Sequence, residues 1–326
     1  MKTPPFDLHM PTSIEDAMEL AKNFSDNNEQ FDWIAGGTDL LPNYKWHINV
    51  KPHVISLVRL DVLHKFGPYH IGAMVRLDDL ANSKDSHPLI AEAAAKIASV
   101  MIRKSGTVGG NICLDTRCFW LNQGEDWRKS IDWCHKCDNK TGADCRVIPN
   151  QNDICYATYQ ADLAAPLLVL NATIHMIHPS GTRSVPISEF FQNDGITRNV
   201  LREGEIVSHI TLPDDVMEWQ GNYQKLRVRD SWDFPEAGVA AAWKNGRGDS
   251  IEDIMIATTA LESIPRLHPE AKELLGENDS IDRKKLAANI QKSVRTVDNT
   301  FLPPNYRKKM VSVLVKRALE PMLEGE

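Results

Sequence analysis

Apolar positions recur at helical spacing in Ala17, Leu20, Ala21 and Phe24. Ser13 precedes them with Asp16 three residues on, so the pattern predicts a capped helix over 12–24. A short apolar run, Phe31-Asp-Trp-Ile-Ala35, stops at Gly36-Gly37. Segments 53–60 and 69–77 read as strands. Segment 87–103 reads as a helix with Leu89, Ala93, Ile97 and Val100 on one face. Gly106-Thr-Val-Gly-Gly110 then punctuates the chain, and the stretch 113–155 is polar with few periodic apolar positions. Long structureless stretches are uncommon unless something organises them, so 113–155 reads as an inserted loop. After it the pattern predicts a short helix at 161–170 and strands at 172–179, 182–187, 205–213, 238–244 and 253–261. Helices follow at 267–275, 282–296 and 305–323, the last with Met310, Leu314 and Ala318 at four-residue spacing. Turns at Glu203-Gly-Glu and Pro213 put a boundary within 180–220. The expected class is α+β: two α/β lobes, then a sheet-plus-helices unit.

At 326 residues the chain is too long for one typical core, which implies two or three domains. No stretch approaches the roughly 20 apolar residues of a membrane helix. The opening Met1-Lys-Thr-Pro-Pro-Phe-Asp lacks the apolar run of a secretory signal, so a cytoplasmic location is expected. Net charge is −7 without a basic run, which argues against nucleic acid as a partner. No nucleophile–His–acid set and no carboxylate pair at helical spacing stands out, so no catalytic residue is assigned. The eleven histidines are scattered, and His135, His175 and His178 read as solvated or surface residues. The cysteines do change the picture. All six (Cys113, Cys118, Cys134, Cys137, Cys145 and Cys155) fall within the polar insertion. In a small secreted domain they would suggest disulfides; in a chain of this length and expected compartment they suggest metal.

Two Gly-rich turns each follow an apolar segment, Ile34-Ala-Gly-Gly-Thr-Asp-Leu40 and Ser105-Gly-Thr-Val-Gly-Gly-Asn111. Adjacent glycines let backbone N–H groups point at one anion without Cβ obstruction, and two such turns could hold a pyrophosphate from both sides. Neither fits Gly-x-Gly-x-x-Gly at a strand-to-helix junction, so a Rossmann fold is not supported.

Ala35-Gly-Gly-Thr-Asp39 and Thr107-Val-Gly-Gly-Asn111 resemble the two flavin loops of the medium subunits of the xanthine dehydrogenase and carbon monoxide dehydrogenase family. Ile71-Gly-Ala73, Asp162-Leu-Ala164, Gly204-Glu-Ile-Val207, Leu212-Pro213 and Tyr223-Gln-Lys225 continue the resemblance in order across 5–325. It implies FAD held by Trp33, Ile34, Ala35, Gly36, Gly37, Thr38, Asp39 and Leu40 and by Thr107, Val108, Gly109, Gly110 and Asn111. Asp162 would contribute to binding, and Lys225 would lie near the flavin ring. The implied fold is a two-lobed FAD-binding domain of the PCMH type, residues 1–190, carrying the insertion 113–155. A C-terminal CO dehydrogenase flavoprotein-like α/β domain would follow, residues 191–326. Within the family, Cys113-Leu-Asp-Thr-Arg-Cys118, Trp127-Arg-Lys129 and Lys225-Leu-Arg-Val-Arg…Asp233-Phe-Pro-Glu-Ala-Gly-Val-Ala-Ala241 resemble the flavin subunit of 4-hydroxybenzoyl-CoA reductase. That branch has an insertion carrying a [4Fe–4S] cluster.

On spacing alone, a structural zinc site and a [4Fe–4S] cluster both suit these thiols. The resemblance implies iron–sulfur, with Cys118, Cys134, Cys145 and Cys155 as ligands. The segment 134–145 departs from the branch pattern, leaving Cys137 as the alternative to Cys134; Cys113 reads as structural. The implied role is an electron-transfer subunit partnered by a large molybdopterin subunit and a small subunit with two [2Fe–2S] clusters. The implied reaction of the complex is reductive dehydroxylation of an aromatic acyl-CoA. Two other readings stand beside it: the flavin subunit of an oxidising hydroxylase for an aldehyde, purine or N-heterocycle, and a zinc-stapled FAD-binding module without redox duty. An additional cluster suggests a further donor such as ferredoxin. The charges of the insertion are mixed, with Arg128, Lys129, Lys136, Lys140 and Arg146 against Glu125, Asp126, Asp132, Asp138 and Asp144. The basic subset is where an acidic ferredoxin would dock.

Overall fold

The computed structural model of the chain describes residues 2–137, 143–150, 153–246, 250–275 and 282–322. Asp138 and Lys140 of the insertion and residue 323 of the expected last helix lie outside the described residues.

The N-terminal helix forms over Ile14–Asp26, where Ser13 Oγ accepts from Asp16 N at 3.0 Å as its capping pattern implied. Its face of Ala17, Ala21 and Phe24 is buried on a small parallel sheet in which His53–Ser56 lies between Asp7–His9 and Phe31–Ile34. The predicted strand 53–60 stops at Ser56, and 69–77 shortens to His70–Gly72. The predicted helix 87–103 is two: Pro88–Ala95 and Val100–Arg103, separated by Ala98 at φ +42°. The break turns Val100 outward, 49% exposed, instead of onto the core face.

A second sheet is antiparallel throughout, in the order Phe66–Gly67, His70–Gly72, Ile206–Thr211, Thr173–His178, Gly181–Pro186. One face sends Ile71, Ile174, Met176, Val207 and Ile210 into the largest core, shared with Leu80, Leu89, Ala93, Leu167 and Leu168. The other face carries three stacked imidazoles. His209 lies 4.4 Å from His70 and 4.2 Å from His175, ring centre to ring centre. Burial, then mutual repulsion, lowers the His209 pKa to about 4; burial lowers those of His70 and His175 too. The unfolded imidazoles take up protons from about pH 6.5 downward, before the folded ones do. Stability from the neutral stack is therefore complete above that pH and falls away between it and about pH 4. His209→Gln is expected to lessen the drop in Tm between pH 7 and pH 4.5, measured against the wild-type chain; identical slopes would deny the stack a titrating role.

The third sheet is a meander of Gln220–Leu226, Ala237–Asn245, Ile251–Thr259 and Arg266–Leu267. Ala237–Asn245 is covered on both sides. Ala240 and Ala242 join the largest core, while Val239, Ala241 and Trp243 face a second core under helices Arg283–Ser293 and Pro304–Ala318. Burying Val311, Leu314 and Val315 of the last helix contributes about 1.5–3 kcal/mol each. Leu314 and Ala318 of the stripe that the spacing suggested are buried, Met310 is only half-buried, and Arg307, Val311 and Val315 complete the buried face. Among the described residues no helix is long and apolar enough to cross a membrane.

Candidate functional site

Strand Phe31–Ile34 runs into Ala35-Gly36-Gly37, where two constraints require glycine. A Cβ on Gly36 would lie 1.8 Å from the Ser105 carbonyl oxygen, so the two Gly-rich loops touch backbone to backbone. Gly37 sits at φ +68°. Among the described residues, the N–H groups of Gly36, Gly37, Thr38 and Asp39 have no acceptor; helix Leu40–Lys45 begins just beyond, its first internal bond running from Leu41 N to Gly37 O at 3.2 Å. Orphan donors in sequence at a loop-to-helix junction suit an anionic pyrophosphate. Trp33 and Ile34 support the loop from the strand, and Trp33 Nε1 is buried with no partner among the described residues.

The second loop differs from its expectation as a donor loop. Val108 N bonds Val75 O, Gly109 N bonds Ala73 O, Gly110 N bonds Thr107 Oγ1 and Asn111 N bonds Thr107 O, at 2.8–3.1 Å. Those four donors are spent within the chain. Here glycine permits close packing: a Cβ on Gly109 would lie 2.7 Å from that of Ala73. Asn111 Oδ1 accepts from Leu163 N at 3.2 Å, one residue beyond Asp162.

Asp162 and Lys225 are brought together, but with each other. Lys225 Nζ lies 3.0 Å from both carboxylate oxygens, and the two side chains are 3% and 2% exposed. Tyr223 donates to Asp162 at 2.9 Å, and Lys225 also donates to Lys96 O at 2.9 Å. Burial pushes the Asp162 carboxyl up and the Lys225 ammonium down, each opposed by the other's charge.

Cys118, Cys134, Cys145 and Cys155 line one cavity together with Trp120, His135, Lys136 and Val147. Cys137 lies outside that lining, with its Sγ 3.0 Å from Cys134 Sγ. Cys113 sits apart at the edge of the largest core. Burial raises the Cys118 thiol to about 12 and that of Cys155 to about 11. No disulfide joins the cysteines, and among the described residues no three or more His, Cys, Asp or Glu side chains are grouped to hold a metal ion. Four thiols walling one cavity are a donor set that suits zinc or an iron–sulfur cluster.

The charges of the insertion are not the free surface set that sequence suggested. Arg128 is fully buried and donates to Trp46 O and His47 O, both at 2.9 Å. Lys136 is buried too, donating to Asp115 Oδ1 at 2.6 Å and Thr116 Oγ1 at 2.7 Å. His135, read as a solvated loop residue, lines the cavity. Arg117 stands in the Cys113–Cys118 phrase of the sequence but had no role there: it forms an ion pair with Asp39 of the first loop and is followed directly by Cys118. An arginine beside a cysteine carries no periodic or spacing signal.

Residues 4–215 match the family described as FAD binding domain in molybdopterin dehydrogenase. The aldehyde oxidoreductase FAD-binding subunit PaoB of Escherichia coli is 29% identical over 64% of this chain and 69% of its own length. The glyceraldehyde dehydrogenase medium chain of Sulfolobus acidocaldarius is 26% identical over 98% of this chain and 99% of its own. The fold is also similar to a chain of carbon monoxide dehydrogenase from Hydrogenophaga pseudoflava, with TM-score 0.77 and 24% identity, covering 98% of this chain and 97% of that one.

Proposed function

The chain belongs to the molybdopterin dehydrogenase FAD-binding family, as an FAD-binding medium subunit of the xanthine and carbon monoxide dehydrogenase type, and from that premise we propose that it transfers electrons between FAD and a [4Fe–4S] cluster held by Cys118, Cys134, Cys145 and Cys155. The observation that carries this reading is the shared cavity those four thiols line, with Cys137 and Cys113 outside it. The orphan N–H groups of Gly36–Asp39 would take the FAD pyrophosphate. Thr107–Asn111 would form the opposing wall, and Asp162 and Lys225 would brace it from below. FAD supplies the redox chemistry when bound; the residues here position it and set its electrostatics.

The proposed partners are a large molybdopterin subunit and a small subunit with two [2Fe–2S] clusters. The proposed division is 1–190 and 191–326, with Ile206–Thr211 returning to the sheet of the first part. Reductive removal of a phenolic hydroxyl from an aromatic acyl-CoA is the reaction the cysteine insertion favours, with a low-potential donor such as ferredoxin feeding the cluster. With Arg128 and Lys136 buried, the described basic residues left for that donor are Lys129 and Arg146, paired with Glu125 and Asp132. The names of the relatives, an aldehyde oxidoreductase and a glyceraldehyde dehydrogenase, favour an oxidising hydroxylase as the second reading. Identifying the co-purified large subunit and its substrate separates the two.

The metal assignment is tested by iron and zinc analysis with visible spectra. About four irons per chain are expected alongside flavin bands. Cys134→Ser should lose the iron, whereas Cys137→Ser and Cys113→Ser should retain it. Zinc in place of iron would leave a stapled module, and iron lost from Cys137→Ser but kept by Cys134→Ser would exchange the two ligands.

A further inference from the structure

Arg117 joins the cysteine cavity to the first Gly-rich loop through two sets of contacts that run in opposite directions. Its backbone belongs to the insertion. Arg117 N donates to Thr158 O and Thr158 N donates to Arg117 O, both at 2.7 Å, a bridge that joins the chain just before Cys118 to the chain just after Cys155. Its side chain belongs to the other loop. The guanidinium pairs with the Asp39 carboxylate and donates to Asn43 Oδ1 at 3.3 Å, and Asn43 Nδ2 in turn donates to Asp39 Oδ2 at 3.1 Å. The Phe234 ring covers the guanidinium at 4.8 Å, leaving the side chain 11% exposed.

Asp39 is one of the residues whose N–H groups lack an acceptor among the described residues, and it is the N-cap residue of helix Leu40–Lys45. Cys118, for its part, is fixed on the other side by its own N–H, which donates to Asn122 Oδ1 at 3.0 Å. A shift of Cys118 therefore carries Arg117 with it, and Arg117 cannot move without dragging or abandoning Asp39. Abandoning it would leave a buried cation without its partner, which is strongly unfavourable. Two sites that share one such element are coupled, and the coupling is reciprocal.

We propose that Arg117 is a positioning residue that makes occupancy of the cysteine cavity by its cluster and of the Gly36–Asp39 loop by FAD thermodynamically dependent on each other. Filling the cavity fixes Cys118, Arg117 follows, and Asp39 is held where the loop's donors face one anion. Iron-loaded chain then binds FAD more tightly than iron-free chain, and FAD strengthens iron retention by the same factor. This rests on the cluster reading given above. Coupling between two binding sites is typically worth about 5–150-fold.

The test uses the full chain, loaded with about four irons or stripped by a chelator, and titrated with FAD by flavin fluorescence. The expected ratio of the two dissociation constants is about fivefold or more in the wild-type chain. In Arg117→Met it should fall to near one while both forms still bind FAD, and Arg117→Lys should restore part of it. General weakening of the fold would lower both affinities without collapsing their ratio. Should Arg117→Met fail to fold, Asp39→Asn removes the same ion pair from the other side and should collapse the ratio in the same way. A wild-type ratio of one, or a ratio unchanged in these variants, overturns the coupling while leaving the cluster assignment intact. A chain that takes up no iron at all overturns the cluster reading and the coupling together.

Discussion

Gly36→Ala is expected to cost the chain its FAD, with a fall in affinity of about tenfold or more. A single methyl there would be built 1.8 Å from the Ser105 carbonyl oxygen and 2.6 Å from its carbon. Both atoms are backbone, so no side-chain rotation relieves the overlap, and the two loops must separate. Overpacking of this kind costs about 1–3 kcal/mol, and about 1.4 kcal/mol is a factor of ten in binding. Gly37→Ala forces a side chain into the left-handed region at φ +68°, a penalty of about 1–2 kcal/mol. Gly110→Ala should be milder, because its Cβ would meet Thr107 Oγ1 at 3.1 Å and nothing else nearer than 3.9 Å. The expected order of flavin loss is therefore Gly36, then Gly37, then Gly110, read as bound FAD per chain and as dissociation constants by fluorescence. Full flavin content in Gly36→Ala, at wild-type affinity, would remove the first loop from the binding site.

That ordering could not be taken from sequence, although both loops could. A glycine pair after an apolar run is a local signal, and so is a block of cysteines in a polar stretch. The capped helix at 14–26 and most strands of the antiparallel sheets were legible for the same reason: period and cap are written within a few residues. The features that escaped are long-range. The donors of Val108–Asn111 are consumed by Val75, Ala73 and Thr107, which only the tertiary fold brings beside them. Arg307 is fully buried because Glu236 O and Ala260 O accept from its guanidinium at 2.9 and 2.6 Å, partners far away in sequence. His70, His175 and His209 become neighbours only through sheet register. Strand Gln220–Leu226 has Tyr223 as its one fully buried residue and so lacks the alternation that announces a strand. The interruption at Ala98 has no Gly or Pro to mark it.

Lys225→Met is expected to destabilise the chain itself, even without flavin, by about 3–5 kcal/mol. Sequence resemblance makes Lys225 a flavin neighbour, which predicts lost binding and an unaltered apoprotein. The geometry predicts otherwise. Lys225 is 2% exposed, its ammonium is directed to both oxygens of Asp162 and to Lys96 O, and among the described residues Asp162 has only Tyr223 as a further hydrogen-bond donor. Removing the ammonium strands a buried carboxylate. Desolvation already raises the Asp162 pKa with Lys225 in place, and without that charge it rises further. The sign follows from proton uptake: a carboxyl whose folded pKa lies above its unfolded value favours the folded state at low pH. That advantage is lost as pH rises from about 4 through the folded pKa. The Tm deficit of Lys225→Met should therefore be larger at pH 8 than at pH 5. Asp162→Asn combined with Lys225→Met removes both charges, and Asn can still accept from Tyr223. The double variant should recover part of the loss, with Lys96 O keeping the Arg227 guanidinium as its donor at 3.2 Å; the recovery measures the coupling of the pair. Thermal melts of flavin-free protein at both pH values decide it. A wild-type Tm in flavin-free Lys225→Met would return the residue to the cofactor and leave Asp162 needing no partner of its own.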